Sequence, residues 1–269
     1  MIRSEELAWR IRYHAIEMVH HAHASHIGGI LSVADAVAVL YNDIAHIDPN
    51  NPNDNNRDRI ILSKGHNGVA LYAALAELGF FPLAELNTYG DNGCRFSCHV
   101  SHKNVPGVEL STGSLGLGVG VACGIALHAK RRGLSYRTYA ILGDGECNEG
   151  SVWEAVMLAA QEKLSSLTVV VDCNGMQAMG RCVDILDMSP LEEKWRSFGW
   201  CVCTVDGHSH DALRRAFLVD SCGLPKVILS QTIKGKGVSF MENELLWHYR
   251  DPQGENYVNA IAELEANRP

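Results

Sequence analysis

Apolar positions recur at helical spacing over residues 5–23, where Leu7, Ile11, Ala15, Met18 and Ala22 share one face. A second helix is predicted over residues 32–41, with Ser32 and Asp35 as its capping pair. Residues 48–56 carry a turn former at almost every position and read as a polar loop. Residues 59–63 then read as a short strand, followed by Gly65-His66 and a helix through Leu78. Residues 90–112 show no period and form a long loop, of the kind that usually carries function. A helix rich in small residues is predicted over 115–131. From there the pattern alternates cleanly: strand 138–142, loop 143–150, helix 151–163, strand 167–172, and later strands 201–205 and 227–231 around a helix at 211–219. Strands alternating with helices imply an α/β fold, a mostly parallel sheet with helices on both faces. No repeat or linker divides the chain, so one domain is expected over residues 1–269.

Composition narrows the class. The chain has 269 residues, 46% hydrophobic and 20% charged, which are ordinary globular proportions and exclude a fibrous, disordered or coiled-coil reading. A domain of this size buries roughly three quarters of its unfolded surface and needs no staples. The formal net charge of −8 argues against a nucleic-acid partner. Phosphate would have to bind locally, through a metal ion or backbone amides. No run of about 18 uncharged apolar residues occurs, so no membrane span is expected. The opening Met1-Ile-Arg-Ser-Glu-Glu lacks the apolar stretch of a secretory signal. Nine cysteines at uneven spacing, several among apolar neighbours (Cys123, Cys201, Cys203), are read as buried reduced thiols and point to the cytoplasm.

The chemistry concentrates in Ala140-Ile-Leu-Gly-Asp-Gly-Glu-Cys-Asn-Glu-Gly150 and, downstream, Val169-Val-Val-Asp-Cys-Asn174-Gly-Met. Asp144 lies just past one predicted strand and Asn174 just past the next, with one crossover helix between them. A right-handed βαβ unit makes those strand ends neighbours, at the edge where parallel sheets bind ligands. A carboxylate, an amide oxygen and the Met176 carbonyl suit Mg²⁺, which takes its remaining ligands from phosphate and water. Gly143 and Gly145 would let a diphosphate approach the backbone, and the helix starting near Ser151 would aim its positive end there. There is no P-loop sequence. The run Gly116–Gly124 lacks the dinucleotide-binding spacing and reads as small residues packed along a buried helix.

The Gly-Asp-Gly…Asn pair is a thiamine-diphosphate signature, and the segments around it resemble the N-terminal, diphosphate-binding half of transketolase. The resemblance runs from about residue 5 to residue 250. It rests on Ala24-Ser-His26-Ile-Gly-Gly, Leu62-Ser-Lys-Gly-His66, Pro106-Gly-Val-Glu-Leu-Ser-Thr-Gly-Ser-Leu-Gly116, the metal motif, and Lys234-Gly-Lys-Gly-Val-Ser-Phe-Met-Glu-Asn with Trp247-His248. It implies a thiamine-diphosphate-binding fold in which Asp144, Asn174 and the Met176 carbonyl hold Mg²⁺. Gly145 and His66 would contact the diphosphate, and the Gly113-Ser114-Leu115 turn would meet the aminopyrimidine through its main chain. His26, His99 and His248 would act on the sugar, with His248 also near the cofactor. Imidazole suits that work because its ordinary pKa lies near neutrality. Glu149 would sit near the cofactor at a subunit contact. His14, His20, His21 and His23 read as surface or packing residues. Cys94, Cys98, His99 and His102 do not have a usual zinc spacing, which leaves His99 as a substrate contact.

In the family, the glutamate that activates the cofactor, the aromatic residues around its ring and the sugar-phosphate arginines belong to a second module. The resemblance therefore implies a separate pyrimidine-binding partner chain, the C-terminal transketolase subunit, in an α₂β₂ heterotetramer. The expected activity is transfer of a two-carbon ketol unit from a ketose, phosphorylated or sulfonated, to an aldose. Ser-His26-Ile, Cys98-His99-Val and Trp247-His248-Tyr depart from the family's Gly-His-Pro, Gly-His-Pro and Trp-His-Gly, so a specialised sugar is expected. The alternatives are the α subunit of a 2-oxo acid dehydrogenase, a deoxyxylulose-phosphate synthase module and a non-catalytic partner of the same fold.

Overall fold

The computed structural model describes residues 2–269. Its frame is five parallel strands: β1 (Arg59–Leu62), β2 (Thr138–Gly143), β3 (Leu167–Cys173), β4 (Cys201–Asp206) and β5 (Lys226–Gln231), in spatial order β1-β2-β3-β5-β4. Parallel pairing needs crossovers that cover both faces of a sheet, and the strand side chains divide to match. Ile60, Leu62, Tyr139, Ile141, Val170 and Ile228 enter one core, with helices α1 (Ser4–Ala22), α2 (Ile27–Val39) and α3 (Gly68–Glu77). Ile61, Ala140, Leu142, Val169, Val171 and Val227 enter the other, with α4 (Leu117–Arg132) and α5 (Gly150–Gln161). The expected α/β architecture is the one observed.

Three helices lie where the apolar pattern predicts none. Two are too short to display a period, α6 (Cys182–Ile185) and α7 (Leu191–Ser197). After α8 (His210–Leu218) and β5 comes α9 (Glu255–Ala266), which buries only Ala260 and Leu264 and so carries little apolar signal. On α1 the expected face is inside, except that Ala22 at the helix end is half-buried. The α4 helix is not buried all round. Val119, Ala122, Cys123 and Ala126 face the core while Leu117 and Val121 are exposed.

Helix α2 begins at Ile27 and not at Ser32. Gly28 and Gly29, which look like breakers, lie inside the helix, where close neighbours leave no room for a larger side chain. A Cβ would stand 3.1 Å from Lys234 Cγ at Gly28 and 3.1 Å from Asn67 Oδ1 at Gly29. Ser32 and Asp35 therefore do not cap. With its five-residue π-turn, Leu40–Ile44, the helix is long and apolar enough by composition to cross a membrane, yet 83% of that stretch is buried inside the fold. A helix apolar on every side is what a core position demands.

All nine cysteines are free. Cys123 is buried as expected, whereas Cys201 and Cys203 are only half-buried because β4 is an edge strand.

The α1–α2 contact carries one buried ion cluster. Arg12 bonds both oxygens of Asp35, at 3.1 and 2.5 Å, and its Nε donates to the Leu31 carbonyl. His208 Nδ1 and His210 Nε2 reach the same carboxylate at 2.7 and 3.0 Å. Removing the shared anion strands a guanidinium in the core, a loss of about 3–5 kcal/mol. Asp35→Ala is expected to lower unfolding free energy by that amount in urea titration; a loss below about 1 kcal/mol would contradict the cluster's role.

Candidate active site

The β2–β3 pairing puts Gly143 opposite Asp172, so both chains leave the sheet side by side. Past β2 the chain enters a 3₁₀ turn, Gly145–Asn148, and past β3 it bends back at Gly175, which has φ +75°. Gly175 is the αL position such a bend requires. The two strand ends are tied together: Asp144 N–H donates to the Asp172 carbonyl at 3.2 Å, and Gly175 N–H donates to Asp144 Oδ2 at 2.6 Å. Asp144 Oδ1 accepts from Gly145 N–H at 2.8 Å, and Asn174 Oδ1 accepts from Met176 N–H at 3.1 Å. Met176 forms the non-hydrogen-bonded half of a bridge with Arg181, which leaves its carbonyl outside the ladder.

These residues line a cavity of about 270 Å³. Of the residues expected in a site, His26, His66, His99, His248, Gly113 and Leu115 line it together with Asp144, Gly145, Asn174 and Met176. Ser114 and Glu149 do not. Both are exposed, and Glu149 precedes α5 with its Cβ region against Gly116.

Four imidazoles roof the cavity, with His26 at their centre. Its ring centroid lies 5.2 Å from His66, 5.8 Å from His99 and 5.0 Å from His248. His26 takes a left-handed backbone (φ +77°) just before α2, and its N–H donates to the His248 carbonyl at 2.8 Å, tying two distant segments together. Such a conformation in a residue with a side chain is strained and is held by its surroundings. Ser25 Oγ is 2.9 Å from His26 Nδ1, and Lys234 Nζ donates to His248 Nδ1 at 3.1 Å, so His248 keeps Nε2–H for the cavity.

Burial, with neighbouring positive charge, depresses three of these rings: His26 to about 4, His66 to about 2 and His248 to about 3. They are neutral at pH 7, donors and acceptors rather than cations. The near-neutral pKa expected for them from their type alone is overridden by desolvation.

Sequence reasoning passed over two lysines and one acid. Lys64 and Lys234 are buried on the cavity wall. Lys64 Nζ pairs with Asp172 Oδ2 at 2.5 Å, and burial together with the Lys64 charge lowers Lys234 to about 8. Glu146 lies beneath the cavity and accepts from Ser63 Oγ, Gly116 N–H and Gly143 N–H at 2.5, 2.8 and 3.1 Å, clamping three segments. The signal was available: Lys64 stands between an apolar strand and Gly65, at the same sheet edge as Asp144.

The donor set fits the group that the motif implies. Burial and the Asp172 charge raise the Asp144 carboxyl above its usual range, leaving an anion that a cation would stabilise. Among the described residues no three His, Cys, Asp or Glu side chains gather as metal ligands. An ion here would rest on one carboxylate, one amide and one main-chain oxygen, the hard set that suits Mg²⁺ completed by phosphate. Two buried ammonium groups suit a diphosphate. At Gly145 a Cβ would stand 2.7 Å from Gln177 Cγ, so only glycine keeps this wall in place.

The family described as "Transketolase, thiamine diphosphate binding domain" matches residues 3–263. The 6-deoxy-6-sulfo-D-fructose transketolase subunit of Clostridium sp. (strain MSTE9) is 42% identical over 257 residues, spanning 95% of this chain and 94% of that protein. An apulose-4-phosphate transketolase subunit of Phocaeicola vulgatus is 38% identical over 255 residues, 94% and 90% of the two chains. Transketolase of Homo sapiens is 36% identical over 258 residues, covering 96% of this chain and 41% of its own length. Among solved structures, transketolase from Campylobacter jejuni superposes with a TM-score of 0.91 at 27% identity, over 98% of this chain and 43% of that one.

The depressed imidazoles make stability depend on pH. An unfolded histidine takes its proton near pH 6.5, while these take theirs only at the lower folded values, so the unfolded state binds more protons in between. Their contribution is complete above pH 6.5 and is lost as pH falls through it toward 4. His66→Asn is expected to make that loss shallower by up to about 1 kcal/mol per pH unit, read from urea unfolding between pH 7 and 4; an unaltered slope would contradict the depressed His66.

Proposed function

The chain belongs to the transketolase family and is an enzyme subunit, and on that premise we propose that it is the N-terminal, diphosphate-binding subunit of a two-chain transketolase. The observation that carries this reading is the meeting of Asp144 and Asn174 under a roof of imidazoles, beside two buried lysines, at the carboxyl edge of the sheet. We read residues 1–269 as one diphosphate-binding domain of transketolase type. Nine free cysteines fit a reducing compartment, the cytoplasm.

Asp144, Asn174 and the Met176 carbonyl would hold Mg²⁺. Gly145 and His66 would meet the diphosphate, and Lys64 and Lys234 would balance its charge. The main chain of Gly113, Ser114 and Leu115 would meet the aminopyrimidine. Thiamine diphosphate, when bound, supplies a thiazolium carbon that serves as nucleophile and electron sink. Neutral His26 and His248, with His99 beside them, would donate to and accept from the hydroxyls of a ketose and orient its C2–C3 bond. His26 and His248 are suited to carry a proton to or from the substrate oxygens, since an arriving anion raises depressed imidazole pKa values toward neutrality. The reaction is transfer of a two-carbon ketol unit from a ketose to an aldose.

A partner follows from the relatives. The sulfofructose and apulose-phosphate relatives, which this chain covers almost end to end, are named as subunits, whereas it spans 41% of a transketolase not so named. We propose a pyrimidine-binding C-terminal subunit in an α₂β₂ heterotetramer, with exposed Glu149 and Ser114 on the side that meets it. The relatives' names point to a ketose bearing phosphate or sulfonate as substrate. They also favour transketolase chemistry over a 2-oxo acid dehydrogenase.

Two outcomes are expected. Asp144→Ala should weaken Mg²⁺-dependent thiamine diphosphate binding more than about 100-fold by calorimetry, while the circular dichroism spectrum of a folded chain is kept. Unchanged affinity would overturn the metal assignment. Ketol transfer measured with Mg²⁺ and thiamine diphosphate should require both chains; full turnover by this chain alone would overturn the two-chain reading.

A further inference from the structure

The two ends of an asparagine amide have the same shape and opposite chemistry, so an amide metal ligand needs something to keep its oxygen turned outward. At Asn174 that something is visible. Asn174 Nδ2 donates to Asp172 Oδ2 at 3.0 Å and lies 3.2 Å from Ser32 Oγ, while Oδ1 accepts from Met176 N–H at 3.1 Å. The NH₂ end thus faces the core and the oxygen faces Met176, a residue that lines the same cavity as Asp144. Asp172 is itself immobilised from three elements. Oδ2 accepts from Lys64 Nζ at 2.5 Å and from Ser32 Oγ at 2.7 Å, and Oδ1 accepts from Thr232 Oγ1 at 2.5 Å. It is 1% exposed, so no water competes for these bonds.

We propose that Asp172, braced by Lys64, Ser32 and Thr232, is a positioning residue that sets the face Asn174 presents to the metal. This inference rests on the Mg²⁺–thiamine diphosphate reading above. Asp172 touches neither metal nor substrate in this role. It acts through the Asn174 amide by being an acceptor that the NH₂ end cannot exchange for its own oxygen. A neutral amide in its place offers one acceptor oxygen where the carboxylate offers two, so it cannot serve both Thr232 and the Lys64, Ser32 and Asn174 donors, and it loses the charge that holds Lys64.

The test is a double-mutant cycle on the full chain, co-purified with its partner and titrated with Mg²⁺ at saturating thiamine diphosphate. Asp172→Asn should weaken Mg²⁺ binding about 10- to 100-fold, the usual cost of losing an outer partner of a metal ligand. Ser32→Ala, which leaves the Lys64–Asp172 pair intact, should weaken it in the same direction by less. The decisive arm is Asn174→Asp, whose two carboxylate oxygens are equivalent and need no orienting. In that background Asp172→Asn should cost nothing, and should help by relieving like charges. A loss of the same size in both backgrounds would mean Asp172 acts only through folding and would overturn the proposal, as would a change under about threefold from Asp172→Asn in the natural background. The underlying reading fails separately, if the unsubstituted protein binds thiamine diphosphate without Mg²⁺ and Asp144→Ala changes nothing.

Discussion

The site depends on one pairing, the parallel ladder between β2 and β3. Its register sets Gly143 against Asp172, so that the residues immediately beyond, 144 on one strand and 173–174 on the other, leave the sheet together. Parallel neighbours end on the same edge, and a ladder slipped by one residue would turn every side chain on the strand to the other face. The two cores forbid that slip. Tyr139 and Ile141 must meet the α1–α3 layer while Ala140 and Leu142 meet α4 and α5. Hydrophobic burial thus sets the register, and the register sets which polar side chains meet.

Around that edge the protein keeps its charges in a small, mutually compensated volume. Lys64 answers Asp172, and Asp144 and Lys234 line the same cavity wall. Desolvation pushes the carboxyl of Asp144 up and the ammonium of Lys234 down, each toward its neutral form. A metal ion at the first and an anion at the second relieve both penalties at once. The same burial strips His26, His66 and His248 of charge. The roof therefore offers directional hydrogen bonds rather than a general attraction for anions, an arrangement suited to reading the hydroxyls of a sugar.

Close approach is the second constraint. Gly29 lets Asn67 reach the first turn of α2, and Gly145 leaves room for Gln177 across the cavity wall. Gly118 brings α4 against Ser63, where a Cβ would stand 2.5 Å from Oγ. That contact holds Ser63 where its hydroxyl serves Glu146. Small residues at these points leave little slack between backbone segments, which is how a site assembled from distant chain segments keeps one geometry.

Periodicity alone made the α/β alternation legible, because strands buried on both faces read as Val- and Ile-rich runs and α1 and α5 carry their own stripes. The Asp144–Asn174 pair was legible for the same reason: both residues stand directly after an apolar run, and topology then makes them neighbours. The start of α2 was not, since Gly28-Gly29 looks like a break until Lys234 and Asn67 are seen filling the space above it. Nor were Lys234 and Glu146, most of whose partners lie far away in the chain, and Lys64 was marked only by its place at the strand end; a lysine in isolation reads as a solvated charge. The neutral state of His26, His66 and His248 was also beyond reach, because a pKa belongs to an environment and not to a residue type. The succession of the strands along the chain and the residues at their carboxyl ends could be read from the chain alone, since both follow from local burial patterns. Which polar groups share a low-dielectric volume emerged only on folding, because that depends on long-range packing between segments that carry no local record of each other.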